Sequence, residues 1–334
     1  MTPLPPSRSE SKRLAILIPV FNDWESLSIL LPEIDNALWA NGLRGSVILV
    51  DDGSTLPFER ASQLNPGTYR SVSTLELVRL RCNLGHQRAI AVGLAHLNEK
   101  HPDADFVVVM DGDGEDSPSD IPALVSELLK VDSCRVIFAA RIKRFEGALF
   151  QSMYHVYRLL HWLLTGIHVR VGNFSVLDRS VLARLLTTPD LWNHYAAAIF
   201  RSRIPFTMLP IARGRRYAGK SHMQYSSLVS HGLSAIAVFG ENVGARLAIA
   251  VSFIALLACL LLGAVLTVRL FTPLAIPGWA TNAAGLLVVI LFQALMALLV
   301  LMLLVLSGRS QARMIPLRDA GFFVESVQDL SKVP

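Results

Sequence analysis

Charge is scarce in this chain: acidic and basic residues make up 17% of its 334 positions, against 52% hydrophobic. The apolar excess is not spread evenly but concentrated after Arg246, so the average describes two different regions. Cysteine is scarcer still. Cys82, Cys134 and Cys259 are odd in number and lack CxxC spacing, which argues against a disulfide framework and for small buried thiols in a reducing compartment. Met1 to Arg13 is polar and Pro/Ser-rich, with no apolar stretch of the kind a signal peptide needs, so the domain that follows is expected in the cytoplasm. No GxGxxG fingerprint is present, which disfavours a nicotinamide dehydrogenase. Nor is there an aromatic-basic module for RNA, so the formal charge of +5 is read as contact with anionic headgroups or phosphorylated substrates, not nucleic acid.

What is there centres on Phe106 to Asp116. Five apolar, mostly β-branched residues (Phe106 to Met110) predict a buried strand, and it runs into Asp111, Asp113, Glu115 and Asp116, spaced by Gly112 and Gly114. Buried carboxylates are costly unless neutralised, so an acidic cluster at a strand end invites a hard cation. Asp111 and Asp113, two apart, leave the same face of an extended segment, a seat for Mg²⁺ or Mn²⁺ holding a diphosphate; a solvated acidic turn is the alternative.

The same alternation recurs along the chain. Strands are predicted over 14–20, 46–50, 76–80, 106–110 and 136–140, and helices over 24–40, 87–98 and after the acidic cluster to Leu129. Continuous apolar strands alternating with helices predict an α/β fold with a mainly parallel sheet, whose ligands sit at the carboxyl ends of the strands. Those ends carry Asn22 and Asp23, Asp51 and Asp52, Asp111 and Asp113, and Arg141.

Taken together, Pro19-Val20-Phe21-Asn22-Asp23, Val50-Asp51-Asp52-Gly53-Ser54-Thr55, Asn83-Leu84-Gly85 with Gly93, and Asp111-Gly112-Asp113 resemble the family 2 glycosyltransferases of GT-A fold. Within that family the chain looks most like the polyprenyl-phosphate sugar synthases, the dolichyl-phosphate mannose synthase and undecaprenyl-phosphate glucosyltransferase type. Val171 to Arg179 and Arg216-Tyr217-Ala218-Gly219-Lys220-Ser221, the latter similar to an Arg-x-x-Gly-x-Ser loop, carry this part of the likeness. The resemblance implies a GT-A, Rossmann-like nucleotide-diphospho-sugar transferase domain and a metal-assisted transfer, with Mg²⁺ or Mn²⁺, from a UDP- or GDP-linked sugar to polyprenyl phosphate. By the same resemblance Pro19, Asn22, Asp23, Asp51, Asp52, Asp111 and Asp113 bind the nucleotide sugar, and Asp111, Asp113 and Glu115 hold the metal. Arg141, Ser152, Arg215, Arg216 and Lys220 face the lipid phosphate or diphosphate, Asp113 and Arg141 being the catalytic pair. Three departures stand out: Glu115 where the family often has Gln, Asp23 where it favours Glu, and no basic residue immediately before Ser152. The resemblance leaves a homo-oligomer open.

Gly214 to Ser221 also satisfies G-x-x-x-x-G-K-[ST], but Arg215, Arg216 and Tyr217 are bulky for a phosphate-wrapping loop, and a basic clamp at the membrane surface explains them better. Leu247 to Val268 and a second run within Ala283 to Leu306 are long enough to span about 30 Å of hydrocarbon. Arg309, Arg313, Arg318 and Lys332 follow them, which by the positive-inside rule puts both chain ends in the cytoplasm. The expected organisation is a flexible tail (1–13), a catalytic domain (14–220), interfacial amphipathic helices (221–245), a two-helix anchor in the inner (plasma) membrane (246–307) and a cytoplasmic tail (308–334). In that tail, Phe322-Phe323-Val324 suggests a short strand returning to the catalytic domain. Two further readings stay open: a non-catalytic scaffold binding lipid phosphate, and a P-loop NTPase.

Overall fold

The computed structural model describes residues 12–56, 58, 68–141, 159–166, 171–212, 214, 216–218, 233–273, 278–310 and 313–332. It divides into two compact units, Met1–Ala148 with Val169–Val238 and Arg313–Pro334, and Leu149–His168 with Phe239–Ala312.

The first unit is built on one eight-stranded sheet. Its strands are β1 (Arg13–Val20), β2 (Arg44–Asp51), β3 (Val72–Leu80), β4 (Phe106–Val109), β5 (Val136–Arg141), β6 (Ser175–Asp178), β7 (Phe206–Ile211) and β8 (Val324–Asp329), in the order β7-β5-β6-β4-β1-β2-β3-β8. All neighbours pair in parallel except β6, antiparallel to β4 and β5, and β8, antiparallel to β3. The five strands expected inside the domain are all present. β6 was not anticipated. The returning C-terminal strand exists, but begins at Val324 instead of Phe322.

Alternation along β1 sets the two faces of the sheet. Leu14, Ile16 and Ile18 join one core with Leu27, Leu30, Leu31, Ile34 and Leu38 of α1 (Trp24–Ala40), whose apolar positions recur at helical spacing. Ala15 and Leu17 join the other, with α2 (His86–Lys100). Helix α3 (Ile121–Lys130) covers the α1 side, and α4 (Leu182–Leu186) and α5 (Tyr195–Arg201) the α2 side. α2 lies close on the sheet because Gly93 faces it: a Cβ there would stand 2.3 Å from Leu17 and 2.7 Å from Val50.

The topology places the site. From β1 the chain moves outward through β2 and β3, then crosses to the other side of β1 with β4, so β1 and β4 flank the switch point. The gap there has a local cause. The Leu17 carbonyl accepts the Met110 N–H (3.1 Å), so alternate residues of β1 turn their backbone groups toward β4. Pro19 is next in that series and has no N–H, and the β1–β4 ladder ends at the Leu17–Val109 pair.

The second unit contains α6 (Gly240–Phe271) and α7 (Trp279–Ser310), each 32 residues long. Both are long and apolar enough to cross a membrane, and their apolar windows are only 6% buried, unlike the core helix of a soluble protein. Residues 159–165 are also helical and expose Leu159, Leu160, Trp162 and Leu163 while burying His161 and Thr165. The Arg246 guanidinium donates to the Trp162 and Leu163 carbonyls (3.2 and 2.8 Å), satisfying the last turn of that helix. Of the expected interfacial segment 221–245, residues up to 232 lie outside the described ones.

Candidate active site

A pocket of about 340 Å³ opens between the carboxyl ends of β1 and β4, lined by Pro19, Val20, Phe21, Asp23, Asp52, Asn83, Gly85, His86, Asp111, Gly112 and Asp113. It draws on four connections that leave the same edge of the sheet, as parallel strands dictate.

The acidic loop after β4 is folded by its own carboxylates. Asp116, 2% exposed, accepts the Asp111 N–H (2.9 Å), and Asp113 Oδ1 accepts the Glu115 N–H (2.9 Å). Gly114 has φ +86°, where side chains are rare, and a Cβ there would lie 2.2 Å from the Tyr217 ring packed over it. Across the loop run 214 and 216–218. Gly214 N–H donates to the Glu115 carbonyl (2.9 Å) and Tyr217 N–H to the Asp113 carbonyl (3.0 Å), and the Tyr217 hydroxyl donates to Glu33. The Arg216 guanidinium reaches Asp23 at 2.8 Å and Asp113 at 3.3 Å. In a P-loop these backbone N–H groups would wrap a phosphate; two of them are here committed to carbonyls of the acidic loop.

Burial raises the Asp113 pKa, as do the charges of Asp111 and Glu115; the Glu115 N–H and Arg216 oppose them. A carboxylate in that state is short of positive charge. His86 stands 3.2 Å from Asp111, ringed by protein yet open to water from the pocket side, with 42% of its side chain exposed. Burial pushes its pKa down, but the charges of Asp111, Asp52 and Asp116 outweigh that and leave it raised. Crowded carboxylates, with Asp113 disfavoured as an anion and leaning on the Arg216 guanidinium, fit a divalent metal. Asp111 and Asp113 are the residues that would hold it.

Asp52 is different. Its two oxygens accept the N–H groups of Leu84 (2.7 Å) and Gly85 (2.9 Å), which offset the burial that raises its pKa. Asp51 accepts the Ser54 N–H (2.8 Å). Asn22, at φ 60°, acts as a staple. Its Oδ1 accepts the N–H groups of Thr55 and Leu56 (both 2.9 Å), and its own N–H donates to Ser54 Oγ (2.9 Å). Asn22 and Asp51 thus stand behind the pocket wall, holding the loop after β2, and not among the lining residues.

Of the remaining residues expected at the site, Arg141 ends β5 opposite Ile211 of β7, on the same sheet edge as Asp111 but two strands away, about 10 Å by strand spacing. Glu115 contributes its backbone to the loop. Ser152, Arg215 and Lys220 lie outside the described residues. Two residues at the pocket had been given no role from the sequence: His86, and Asn173 behind it. Tyr195 N–H donates to Gln87 Oε1 (2.7 Å), Gln87 Nε2 to Asn173 Oδ1 (3.1 Å), and Asn173 Nδ2 meets His86 Nε2 at 2.9 Å. A backbone donor of fixed polarity therefore orients two amides and, through them, the imidazole. The histidine directly after Asn83-Leu84-Gly85 was the available signal; its partner 87 residues on was not legible.

The chain is 33% identical over 121 residues to the dodecaprenyl-phosphate galacturonate synthase of Rhizobium johnstonii, covering 36% of this chain and 33% of that protein. It is 24% identical over 225 residues to the undecaprenyl-phosphate 4-deoxy-4-formamido-L-arabinose transferase of Salmonella paratyphi B, covering 66% of this chain and 65% of that protein. The matches thus span less than two thirds of either relative. Among solved structures, glucosyl-3-phosphoglycerate synthase from Mycobacterium tuberculosis, in complex with Mn²⁺, UDP and phosphoglyceric acid, aligns over 70% of this chain and 79% of its own with a TM-score of 0.48 and 17% identity. The family model described as "Glycosyl transferase family 2" matches residues 15–186, which run from within β1 through β6 and hold every described carboxylate of the pocket, and the chain belongs to that family.

Proposed function

We propose that this protein transfers a sugar from a UDP- or GDP-linked donor to a polyprenyl phosphate at the cytoplasmic face of the inner membrane, with inversion and with Mg²⁺ or Mn²⁺. The observation that carries the reading is the acidic pocket at the β1–β4 switch point, in a chain that also holds two 32-residue apolar helices. The names of the two relatives, both polyprenyl-phosphate sugar enzymes, supply the acceptor class.

In this reading the pocket takes the nucleotide sugar, with Asp52 and Asp23 on its walls and the diphosphate toward Asp111 and Asp113. A bound divalent ion supplies positive charge where the leaving diphosphate gains negative charge. Arg216, already spanning Asp23 and Asp113, is placed to follow the diphosphate. The acceptor needs little activation, because a phosphomonoester with a second pKa of about 6 is mostly ionised at neutral pH. What it needs is a cationic seat, and Arg141 at the end of β5 is assigned to it, with Ser152, Arg215 and Lys220 as further contacts. Direct in-line attack by the phosphate oxygen on the anomeric carbon breaks the bond to the diphosphate and inverts that centre. α6 and α7 anchor the enzyme where the lipid lies, with both chain ends cytoplasmic.

The test is a label-transfer assay with the protein in detergent, short polyprenyl phosphate, Mg²⁺ or Mn²⁺ and a panel of nucleotide sugars. Label entering the organic phase only with metal and intact Asp113 is the expected result. Neither transfer nor nucleotide binding with any donor would leave a lipid-phosphate-binding scaffold as the better account.

A further inference from the structure

A second cluster lies on the α2 side of the sheet, away from the pocket. Glu76 stands in mid-β3, opposite Ile48 of β2, three residues before the Asp51 that ends that strand and so about 10 Å back from the catalytic edge. Facing it are His96 on α2 and His101, the residue that follows the helix. Nε2 of His96 is 2.8 Å from Glu76 Oε2, and Nε2 of His101 is 3.2 Å from Oε1. The three ligand atoms lie within 4.8 Å of one another, and the side chains of Glu76, His96 and His101 are 16, 7 and 10% exposed.

Two features set this apart from an ordinary buried ion pair. Both rings turn the same nitrogen inward, one to each oxygen of a single carboxylate, and four residues separate them, within the spacing zinc-binding histidine pairs use. The second feature is directional. Nε2 of His101 is sealed from solvent, yet among the described residues it makes no hydrogen bond, although Oε1 is close. A proton on that nitrogen has no acceptor in line, and a buried donor left so is costly. A lone pair aimed at a shared cation meets no such penalty.

We propose that Glu76, His96 and His101 form a site for a divalent transition-metal ion of the zinc class, separate from the catalytic metal. Two imidazoles and one carboxylate are borderline ligands that suit zinc better than magnesium. Tetrahedral zinc with bonds of about 2.0–2.2 Å sets its ligand atoms about 3.3–3.5 Å apart, which small side-chain rotations reach from the separations here. The ion would clamp the end of α2 to β3 and leave a fourth position for water.

The experiment uses the full chain in detergent, loaded with ZnCl₂, dialysed, and assayed for metal by mass spectrometry. About one equivalent of zinc is expected in the wild type and in Asp113→Asn, and at least about tenfold weaker retention in His96→Gln and His101→Gln. Zinc should also raise the melting temperature of the wild type but not of His101→Gln. Loading the wild type with Co²⁺ needs no variant and should give the visible absorption band of a tetrahedral site. Equal retention in the wild type and the histidine variants, loss in Asp113→Asn instead, or no cobalt band would each overturn the site.

Discussion

Two acidic strand ends face each other across this sheet edge, and they differ in what meets their oxygens. After β2, Asp51 and Asp52 accept backbone N–H groups at 2.7–2.9 Å, from Ser54, Leu84 and Gly85. After β4, Asp113 takes one backbone N–H, from Glu115 at 2.9 Å, but also faces the Arg216 guanidinium at 3.3 Å, and Asp111 faces the His86 ring at 3.2 Å. A backbone donor is fixed by the fold and cannot follow a ligand; a side-chain cation can turn toward an incoming phosphate and leave its carboxylate to a metal. In the function proposed above, the same residue type thus builds the wall in one place and the reactive surface in the other.

The comparison is broken most sharply by exchanging carboxylate for amide at each end. Asp113→Asn should lower transfer by at least about a hundredfold while the protein stays folded, because one charge-stabilising ligand is removed. Asp52→Asn should act first on stability. Its new NH₂ meets a backbone N–H head-on, costing about 1–3 kcal/mol, read as a lower melting temperature. Equal melting losses in the two variants would end the distinction.

Titration sharpens it further. The fold favours protonated Asp113, so its contribution to stability is complete below the unfolded carboxylate pKa and is lost as pH rises through the raised folded value. Asp113→Asn should therefore melt above the wild type near about pH 7–8 and converge with it in acid. By the same proton competition, Mn²⁺ affinity of the wild type, measured by calorimetry, should fall as pH drops through that raised value.

A smaller effect is expected at Arg216. Arg216→Ala should raise the KM for donor about tenfold with little change in melting temperature, since the side chain serves a ligand more than the fold. Smallest is Asn22→Asp. It keeps the acceptor for Thr55 and Leu56 and should cost under about 1 kcal/mol, whereas Asn22→Ala loses it, at about 1–3 kcal/mol.

Legibility in the sequence follows the length scale of each signal. β1, β2 and β4 announce themselves because parallel strands covered on both faces are continuous apolar runs, and both long helices do so by length. β6 is four residues, Ser175–Asp178, with two apolar positions, too little to separate from a loop. β8 is a half-exposed edge strand, Val324–Asp329, so only its aromatic approach was conspicuous. At the site, the carboxylates were visible because they cluster locally. That Asn22 ties down a loop, that Arg216 lies on Asp113, and that Asn173 holds His86 depend on partners 33 to 103 residues away, which a linear pattern does not encode.

The returning strand has a consequence for how the protein is made. β3 takes its outer neighbour from residues that follow both apolar helices in the chain. During synthesis that edge stays open until the helices have left the ribosome, on the order of ten seconds or more at about 5–20 residues per second. An open edge is a template for foreign strands for the whole of that interval. Ribosome stalling or truncation after α7 would then release a nearly complete α/β domain with an adhesive flank, making loss of the last few residues an aggregation defect before it is a catalytic one.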